Sequence, residues 1–173
     1  GAAERAVGEA VKGMREKVFI TTKIGVRFIN GRYVNSNAPE MVFQQCEQSL
    51  RDLDTDYIDL YLIHWPDRTG EVPVSATLEA MNKLKEQGKI RHIGVSNFSP
   101  EQMEEAMQYA EIEALQPPFS MVNRTSLKNI MWAHEHNMGT MTYDSLAGGI
   151  FTGSMRTFPA LTYDHTRRTF YHV

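Results

Sequence analysis

The sequence predicts an α/β fold in which a parallel sheet packs against helices, as in part of a (β/α)8 barrel. The first observation is that short apolar segments alternate along the chain with amphipathic segments of helical period, which is typical of βαβ units. The second is that about five strands are predicted, whereas a complete barrel has eight and typically needs roughly 250 residues. We therefore expect an incomplete TIM barrel of about five βα units with both ends missing. An open doubly wound sheet is the alternative, although no G-x-G-x-x-G follows any strand.

The N-terminal part of the chain is expected to contain a helix, a strand, a loop and a second helix. The first helix spans 2–15, the strand 18–22, and the loop 25–37. Pro39 suits the first turn of the next helix. That helix continues with apolar residues at helical spacing, namely Val42, Cys46, Leu50 and Leu53. Cys46 is the single cysteine and lies on this apolar stripe, so we expect it in the core.

The rest of the chain continues the alternation of strands and helices. Strands are expected at 57–63, 90–95, 112–116 and 138–143, and helices at 75–87, from Pro100 onward, and at 125–136. Gly88 stands where a left-handed residue commonly ends a helix. Ser99 and Gln102 form a capping box around Pro100, which suits the first helical position. The tail from Gly148 to Val173 is expected to be a loop with at most one helical turn.

Composition and charge indicate a globular domain and argue against several classes of function. Hydrophobic residues make up 42% and charged residues 23% of the chain, which is ordinary for a soluble protein. The net charge is -3 without a basic cluster, so no nucleic-acid partner is expected. No apolar run is long enough to span a bilayer, and no secretory signal opens the chain. We expect a single cytoplasmic domain over residues 1–173 without a membrane partner, and the oligomeric state stays open.

Two chemically active residues follow predicted strands. Lys23 follows the strand 18–22, and His64 follows the strand 57–63 directly before Trp65 and Pro66. Lysine and histidine at strand ends are suited to polarise a carbonyl group at the mouth of a parallel barrel. The alternatives are a surface lysine and a hydrogen-bonded core histidine. No metal site is expected, because the His134-Glu135-His136 run lacks the H-E-x-x-H spacing.

Several motifs in consistent order make the chain resemble the aldo-keto reductases. They are ITTK at 20–23, SLRDL at 49–53, DYIDLYLIHWP at 56–66, GKIRHIGVSNF at 88–98, Gln116, and YDSLAGG at 143–149. The most specific is G-K-I-R-x-I-G-V-S-N-F followed by the S-x-x-Q cap. Together these segments span nearly the whole chain.

The resemblance implies a (β/α)8 barrel that transfers hydride from a nicotinamide cofactor, usually NADPH with NADH as the alternative, to a small aldehyde or ketone. The family's chemistry uses Asp, Tyr, Lys and His. By motif match, Lys23 takes the lysine role and lowers the pKa of the tyrosine acid, while His64 orients the carbonyl. The family's Asp and Tyr are expected just upstream of Gly1. Its last strand and its phosphate-binding segment are expected beyond Val173.

The resemblance also implies a cofactor site along the later strands. Ser96, Asn97 and Gln116 resemble the residues that bind the nicotinamide carboxamide, since amide side chains both donate and accept hydrogen bonds. Tyr143 resembles the aromatic residue that stacks on the nicotinamide. The alternatives are ordinary turn chemistry for Ser96 and Asn97, and a buried strand position for Tyr143.

The segment from Asp144 to Gly149, which includes Leu146 and Gly148, is expected to follow the cofactor pyrophosphate with its backbone N–H groups. Asp144 departs from the family pattern, in which a small neutral residue is usual. A carboxylate repels pyrophosphate, so it either turns away or weakens cofactor binding. Trp65 is expected to pack at the rim and to contact substrate.

Three hypotheses remain open from the sequence. The first is an NAD(P)H-dependent carbonyl reductase that acts on a small-molecule carbonyl substrate. The second is a non-catalytic barrel that binds the cofactor and regulates a partner. The third is an inactive fragment, since five strands would leave an open sheet edge.

Overall fold

The computed structural model describes residues 1–29, 32–68 and 70–153. Within these ranges helices alternate with the strands of a parallel sheet, and one antiparallel hairpin is added. In chain order the elements are α1 (Ala2–Ala10), β1 (Thr21–Ile24), β2 (Val26–Ile29), β3 (Arg32–Asn35), α2 (Pro39–Leu53), β4 (Ile58–Ile63), α3 (Val74–Glu86), β5 (Ile90–Ser96), α4 (Pro100–Ala106), β6 (Ala114–Gln116), α5 (Leu127–Glu135) and β7 (Gly139–Thr140). Short 3-10 segments lie at Arg15–Lys17 and Ala147–Thr152. None of these helices is long and apolar enough to cross a membrane.

The parallel sheet has the strand order β1-β4-β5-β6-β7, so each strand lies beside the strand of this sheet that follows it in the chain. A doubly wound sheet reverses its strand order at a switch point, and no such reversal occurs among the described strands. A steady advance of parallel strands, each connected by a helix, is the order of a (β/α) barrel. The predicted α/β fold with a parallel sheet is therefore confirmed, and the doubly wound alternative is not supported.

The two faces of the sheet bury different side chains. One face packs against the helices through large apolar residues, which include Ile24, Tyr61, Ile63, Ile93, Val95 and Leu115. The opposite face, which we call the inner face, carries the smaller cluster of Leu60, Leu62 and Ala114. The residues alternate between the faces because successive side chains of a strand point in opposite directions. Strand β4 is buried on both sides, which explains its apolar composition.

Several predicted helix features are confirmed. Helix α2 begins at Pro39, and Cys46 is fully buried on its inward side, where burial raises the pKa of the thiol to about 12. Gly88 follows α3 with a φ of +74°. At the start of α4 the Gln102 N–H donates to Ser99 Oγ at 3.3 Å, and the Ser99 N–H donates to Gln102 Oε1 at 2.9 Å.

The stretch 25–37 was predicted to be a loop, and this prediction is wrong in part. Its residues form the antiparallel hairpin of β2 and β3, in which Val26 pairs with Asn35 and Ile29 with Arg32. The sequence of this ribbon lacks a clean alternation of apolar and polar residues, which hides its strand period. The pair Asn30-Gly31 was the available signal, because Asn-Gly between two strands is a strong hairpin indicator.

Several element bounds also differ from the sequence predictions. Helix α1 ends at Ala10 rather than at residue 15, and Gly13 follows with a φ of +75°. Strand β1 begins at Thr21, so Lys23 lies within the strand instead of after it. The reason is that the Ile20 N–H donates to the Asp59 carboxylate at 2.9 Å and not to a neighbouring strand.

Strand β7 is shorter than the predicted 138–143. Its ladder with β6 covers Gly139 and Thr140, after which only Tyr143 pairs with Pro118. Pro117 and Pro118 have no N–H to donate, so the regular ladder cannot continue past β6. The predicted tail lies largely outside the described residues. Its described beginning contains the 3-10 segment Ala147–Thr152.

A charged cluster holds the amino end of the sheet together. Asp59 is only 3% exposed and accepts hydrogen bonds from Arg15 at 2.7 Å and Arg91 at 3.1 Å. The two guanidinium groups lie on the ring of Tyr57, at 3.9 Å and 3.7 Å from its centroid. Asp59 therefore links β4 to β5 and to the segment that enters β1, at the end of the sheet opposite to the candidate site.

Candidate active site

Lys23 and His64 lie on neighbouring strands at the carboxyl edge of the sheet. Lys23 is paired in register with Leu62, so its side chain leaves the sheet on the inner face. His64 follows β4 directly, two residues beyond Leu62, and its backbone N–H donates to the Ile24 carbonyl at 3.0 Å. This bond continues the ladder, so the strand alternation directs the imidazole to the inner face as well.

The electrostatics of these two groups are coupled. Burial lowers the pKa of the half-buried Lys23 ammonium. Burial also lowers the pKa of His64, and the positive charge of Lys23 lowers it further. The imidazole is therefore neutral near pH 7, with one ring nitrogen able to donate a hydrogen bond.

Asn97 connects His64 to the next strands. It follows β5 with a left-handed φ of +64°, and its Nδ2 donates to the His64 carbonyl at 2.9 Å and to Ser96 Oγ at 3.0 Å. Ser96 Oγ in turn donates to the Gln116 carbonyl at 2.7 Å. Four of the predicted site residues are thus joined in one hydrogen-bonded network at the carboxyl edge.

Tyr143, which follows the last of the described strands, β7, extends this network. Its hydroxyl donates to Asn97 Oδ1 at 2.8 Å, so both polar ends of the Asn97 amide have partners. Burial raises the pKa of the Tyr143 phenol, and the charge of Asp144 raises it further. The phenol therefore keeps its proton at neutral pH and donates a hydrogen bond to Asn97 Oδ1.

The side-chain amide of Gln116, unlike that of Asn97, is available to bind a ligand. Gln116 is half-buried on the inner face, in register with Ser96. Within the described ranges its side-chain amide makes no hydrogen bond, whereas its backbone carbonyl accepts from Ser96. An unused amide can both donate and accept toward a ligand.

Asp144 is directed into its own loop. It adopts a φ of +58°, and its Oδ1 accepts a hydrogen bond from the Gly148 N–H at 2.7 Å. Gly148 and Gly149 have φ values of +60° and +102°, a region that glycine enters more readily than other residues because it has no Cβ. Leu146 is 56% exposed at the tip of this turn. The carboxylate therefore stabilises the loop that follows Tyr143.

Trp65 is fixed beside His64 through its backbone. Its carbonyl accepts from Asn37 Nδ2 at 2.9 Å, and the Asn37 carbonyl accepts from Thr77 Oγ1 at 2.8 Å. The indole stacks beside the imidazole of His64, with ring centroids 6.3 Å apart. On the indole lies the guanidinium of Arg68, 4.4 Å from the ring centroid.

Asn37 and Arg68 were missed by the sequence analysis. Arg68 could have been found, because it follows Trp65 by three residues in the loop after β4. Nothing in the sequence connects Asn37 to Trp65, which lies 28 positions away.

A cleft of about 790 Å³ lies beside β1, the edge strand of the sheet that the described residues form. Lys23 lines it together with Gly1, Glu4 and Gln45. The Nε2 atom of Gln45 is buried and has no hydrogen-bond partner within the described part of the chain. Gly1 and Lys23 therefore line the same cleft.

His134 and His136 were predicted not to form a metal site. The imidazole of His136 stacks on Trp132 at a centroid distance of 3.7 Å, and its Nδ1 pairs with the Trp132 carbonyl at 2.8 Å. In residues 1–29, 32–68 and 70–153, no cluster of three or more His, Cys, Asp or Glu side chains is placed to hold a metal ion.

Known sequences similar to this chain share one family. A model of the Aldo/keto reductase family matches residues 1–172. The chain is 39% identical over 158 residues to the aldo-keto reductase YhdN of Bacillus subtilis (strain 168), covering 90% of this chain and 47% of that protein. It is 30% identical over 168 residues to the NADH-specific methylglyoxal reductase of Escherichia coli (strain K12), covering 90% of this chain and 52% of that protein. The chain thus spans about half the length of the curated relatives it matches.

Solved structures give the same result. The glycerol dehydrogenase AKR11B4 from Gluconobacter oxydans superposes with a TM-score of 0.87 at 34% identity, covering 95% of this chain and 52% of that one. An aldo/keto reductase from Klebsiella pneumoniae, solved with NADP and acetate, has a TM-score of 0.74 at 32% identity, covering 89% and 51%. The prediction of part of a (β/α)8 barrel is confirmed by these similarities.

Proposed function

Because this chain belongs to the aldo/keto reductase family, we propose that it carries the centre of a reductase that transfers hydride from a nicotinamide cofactor to a small aldehyde or ketone. The observation that carries this proposal is the common position of Lys23 and His64 on the inner face, at the carboxyl edge of neighbouring strands. This edge is where barrel enzymes build their active sites.

His64 suits the role of a hydrogen-bond donor to the substrate. A carbonyl that accepts hydride develops negative charge on its oxygen, and nearby donors stabilise that charge. The low pKa of His64, caused by burial and by Lys23, keeps the imidazole neutral so that one N–H can point at the oxygen. The Asn97 bond to the His64 carbonyl holds the backbone from which this ring projects.

Lys23 suits the role of a cation that activates a proton donor. A free phenol has a pKa of about 10, and an adjacent ammonium lowers it by favouring the phenolate. Two tyrosines near the sheet are unsuited to donate: Tyr143 is bonded to Asn97, and Tyr61 is buried on the helix side. The resemblance to the aldo-keto reductases implies a tyrosine donor outside residues 1–173, and we propose that this tyrosine acts beside Lys23. Support comes from the shared cleft, which Lys23 and Gly1 both line.

The cofactor is proposed to lie along the later strand ends. When bound, a nicotinamide cofactor supplies the hydride. The unused amide of Gln116 fits the nicotinamide carboxamide, and Ser96 and Tyr143 flank it through the Asn97 network. The K. pneumoniae reductase was solved with NADP, whereas the E. coli relative is named as NADH-specific. We propose NADPH as the usual cofactor, with NADH as the alternative.

The loop from Asp144 to Gly149 is proposed to face the cofactor pyrophosphate, with Leu146 and Gly148 beside it. Because Asp144 accepts the Gly148 N–H, its negative charge is directed into the loop. Asp144 nevertheless places a carboxylate where the resemblance implies a small neutral residue. This feature favours the second candidate function, a regulatory barrel in which cofactor binds without catalysis.

One experiment on the full-length gene product separates these functions. NADPH is titrated by quenching of tryptophan fluorescence, and NADPH oxidation is then followed with methylglyoxal and with 4-nitrobenzaldehyde. A reductase is expected to show saturable quenching and turnover of at least one aldehyde. Saturable quenching without turnover would support the regulatory barrel. The absence of both would contradict each of the two proposals.

A further inference from the structure

Arg68 presents a guanidinium group at the mouth of the candidate site. Its side chain is exposed, and the guanidinium lies 4.4 Å from the centroid of the Trp65 indole. Among the described residues it forms no ion pair. A guanidinium that stacks through its flat face keeps the N–H groups of its edge free for a planar anion.

The carboxylates nearest in sequence do not neutralise Arg68. Asp67 Oδ2 accepts the Gly70 N–H at 2.7 Å and so shapes the turn that carries Arg68. Glu71 follows on the same loop, and no salt bridge found between described residues joins either carboxylate to Arg68. Asp67 is therefore engaged by the backbone of the turn.

The position of this cation relative to the reacting centre is set by Trp65. The indole carries Arg68 and also stacks beside His64, which is proposed to bind the substrate carbonyl. The Trp65 backbone is held by Asn37, a residue that is 6% exposed. The guanidinium is thus tied to the same strand end as the imidazole, and Lys23 adds a second positive charge close to that imidazole.

On the premise of the reductase function proposed above, we propose that Arg68 and Trp65 form an anion-binding lip that selects carbonyl substrates carrying a carboxylate. The Trp65 face packs on the body of the substrate, and the Arg68 edge binds the carboxylate with two parallel N–H···O bonds. His64 meanwhile holds the carbonyl at the other end. Neutral aldehydes still enter, but without the contact to Arg68.

The test compares two aldehydes of similar size on the full-length gene product. 4-Carboxybenzaldehyde carries the anion, and 4-nitrobenzaldehyde is its neutral counterpart. Arg68→Gln is expected to lower kcat/KM for the carboxylate about tenfold, mainly through KM, and to leave the neutral aldehyde within about twofold. Arg68→Lys keeps the positive charge but lacks the planar guanidinium. Its kcat/KM for the carboxylate is expected to lie between those of the unaltered protein and Arg68→Gln. Lys12→Gln removes an exposed charge near the opposite end of the sheet and is the matched control.

The possible outcomes distinguish this inference from the proposed function. Turnover of the neutral aldehyde by the unaltered protein reports on the reductase function alone. If that turnover is present and Arg68→Gln changes both aldehydes equally, the anion-binding lip is refuted while the reductase function stands. A rise in KM for NADPH in Arg68→Gln would instead assign the cation to the cofactor and refute its role toward substrate. If neither aldehyde is turned over, the reductase function and the lip that depends on it fail together.

Discussion

Replacing Lys23 by Met is expected to lower kcat for carbonyl reduction by about 10²- to 10⁴-fold, while NADPH binding persists. Methionine has a similar length and no charge, so it removes the ammonium without opening a cavity. Lys23 is half-buried, and burial already lowers its pKa, so the neutral side chain is well tolerated by its surroundings. The loss is therefore expected in the chemical step, where the cation would activate the proton donor.

Turnover and tryptophan quenching by NADPH are measured together on the full-length gene product. Lys12→Met is the matched control, because Lys12 is an exposed lysine near the end of α1. Turnover in Lys23→Met within about threefold of the unaltered protein would contradict the assigned role. A variant that melts at the same temperature as the unaltered protein excludes a loss of fold as the cause.

Replacing Asp59 by Ala is expected to lower the free energy of unfolding by about 3 kcal/mol. The substitution removes the acceptor of Arg15, Arg91 and the Ile20 N–H, all within 3.1 Å of the carboxylate. The side chain of Arg15 is 16% exposed and that of Arg91 is 51% exposed. Water can therefore solvate the Arg91 guanidinium after Asp59 is removed. For this reason the expected loss of unfolding free energy lies at the lower end of the range for broken buried ion pairs.

Urea denaturation of the full-length gene product measures this effect. Asp56→Ala is the control, because Asp56 is an exposed aspartate that precedes the same strand, and a change within about 0.5 kcal/mol is expected there. Equal stability of Asp59→Ala and Asp56→Ala would show that the charged cluster around Asp59 does not stabilise the sheet.

The fold could be predicted largely because local and tertiary signals agree. The capping box at Ser99 and the stripe around Cys46 are read from residues close in sequence, and both are confirmed. The hairpin of β2 and β3 was not predicted because its residues lack a clean alternation of apolar and polar side chains. The start of β1 was not predicted for a different reason. It depends on the hydrogen bond from Ile20 to Asp59, which lies 39 positions later in the chain.

The residues of the candidate site could be predicted from the sequence, but the hydrogen bonds between them could not. Lys23 and His64 could be proposed from strand ends alone, because parallel strands place their carboxyl ends at one edge. The bond from Tyr143 to Asn97 joins residues 46 positions apart, and no spacing rule connects them. It also changes the interpretation of Asn97, whose amide is used within the protein, and leaves Gln116 as the better candidate for contact with the cofactor. The roles of these residues stay predictions.

The central claim is that Lys23 and His64 sit where hydride reaches a carbonyl carbon. The most direct measurement uses NADPH deuterated at either the pro-R or the pro-S position of C4, with 4-nitrobenzaldehyde and the full-length gene product. We expect deuterium in the alcohol from one of the two cofactors only, since a fixed nicotinamide presents one face to the substrate. Alcohol without deuterium from either cofactor, or no alcohol at all, would contradict the claim.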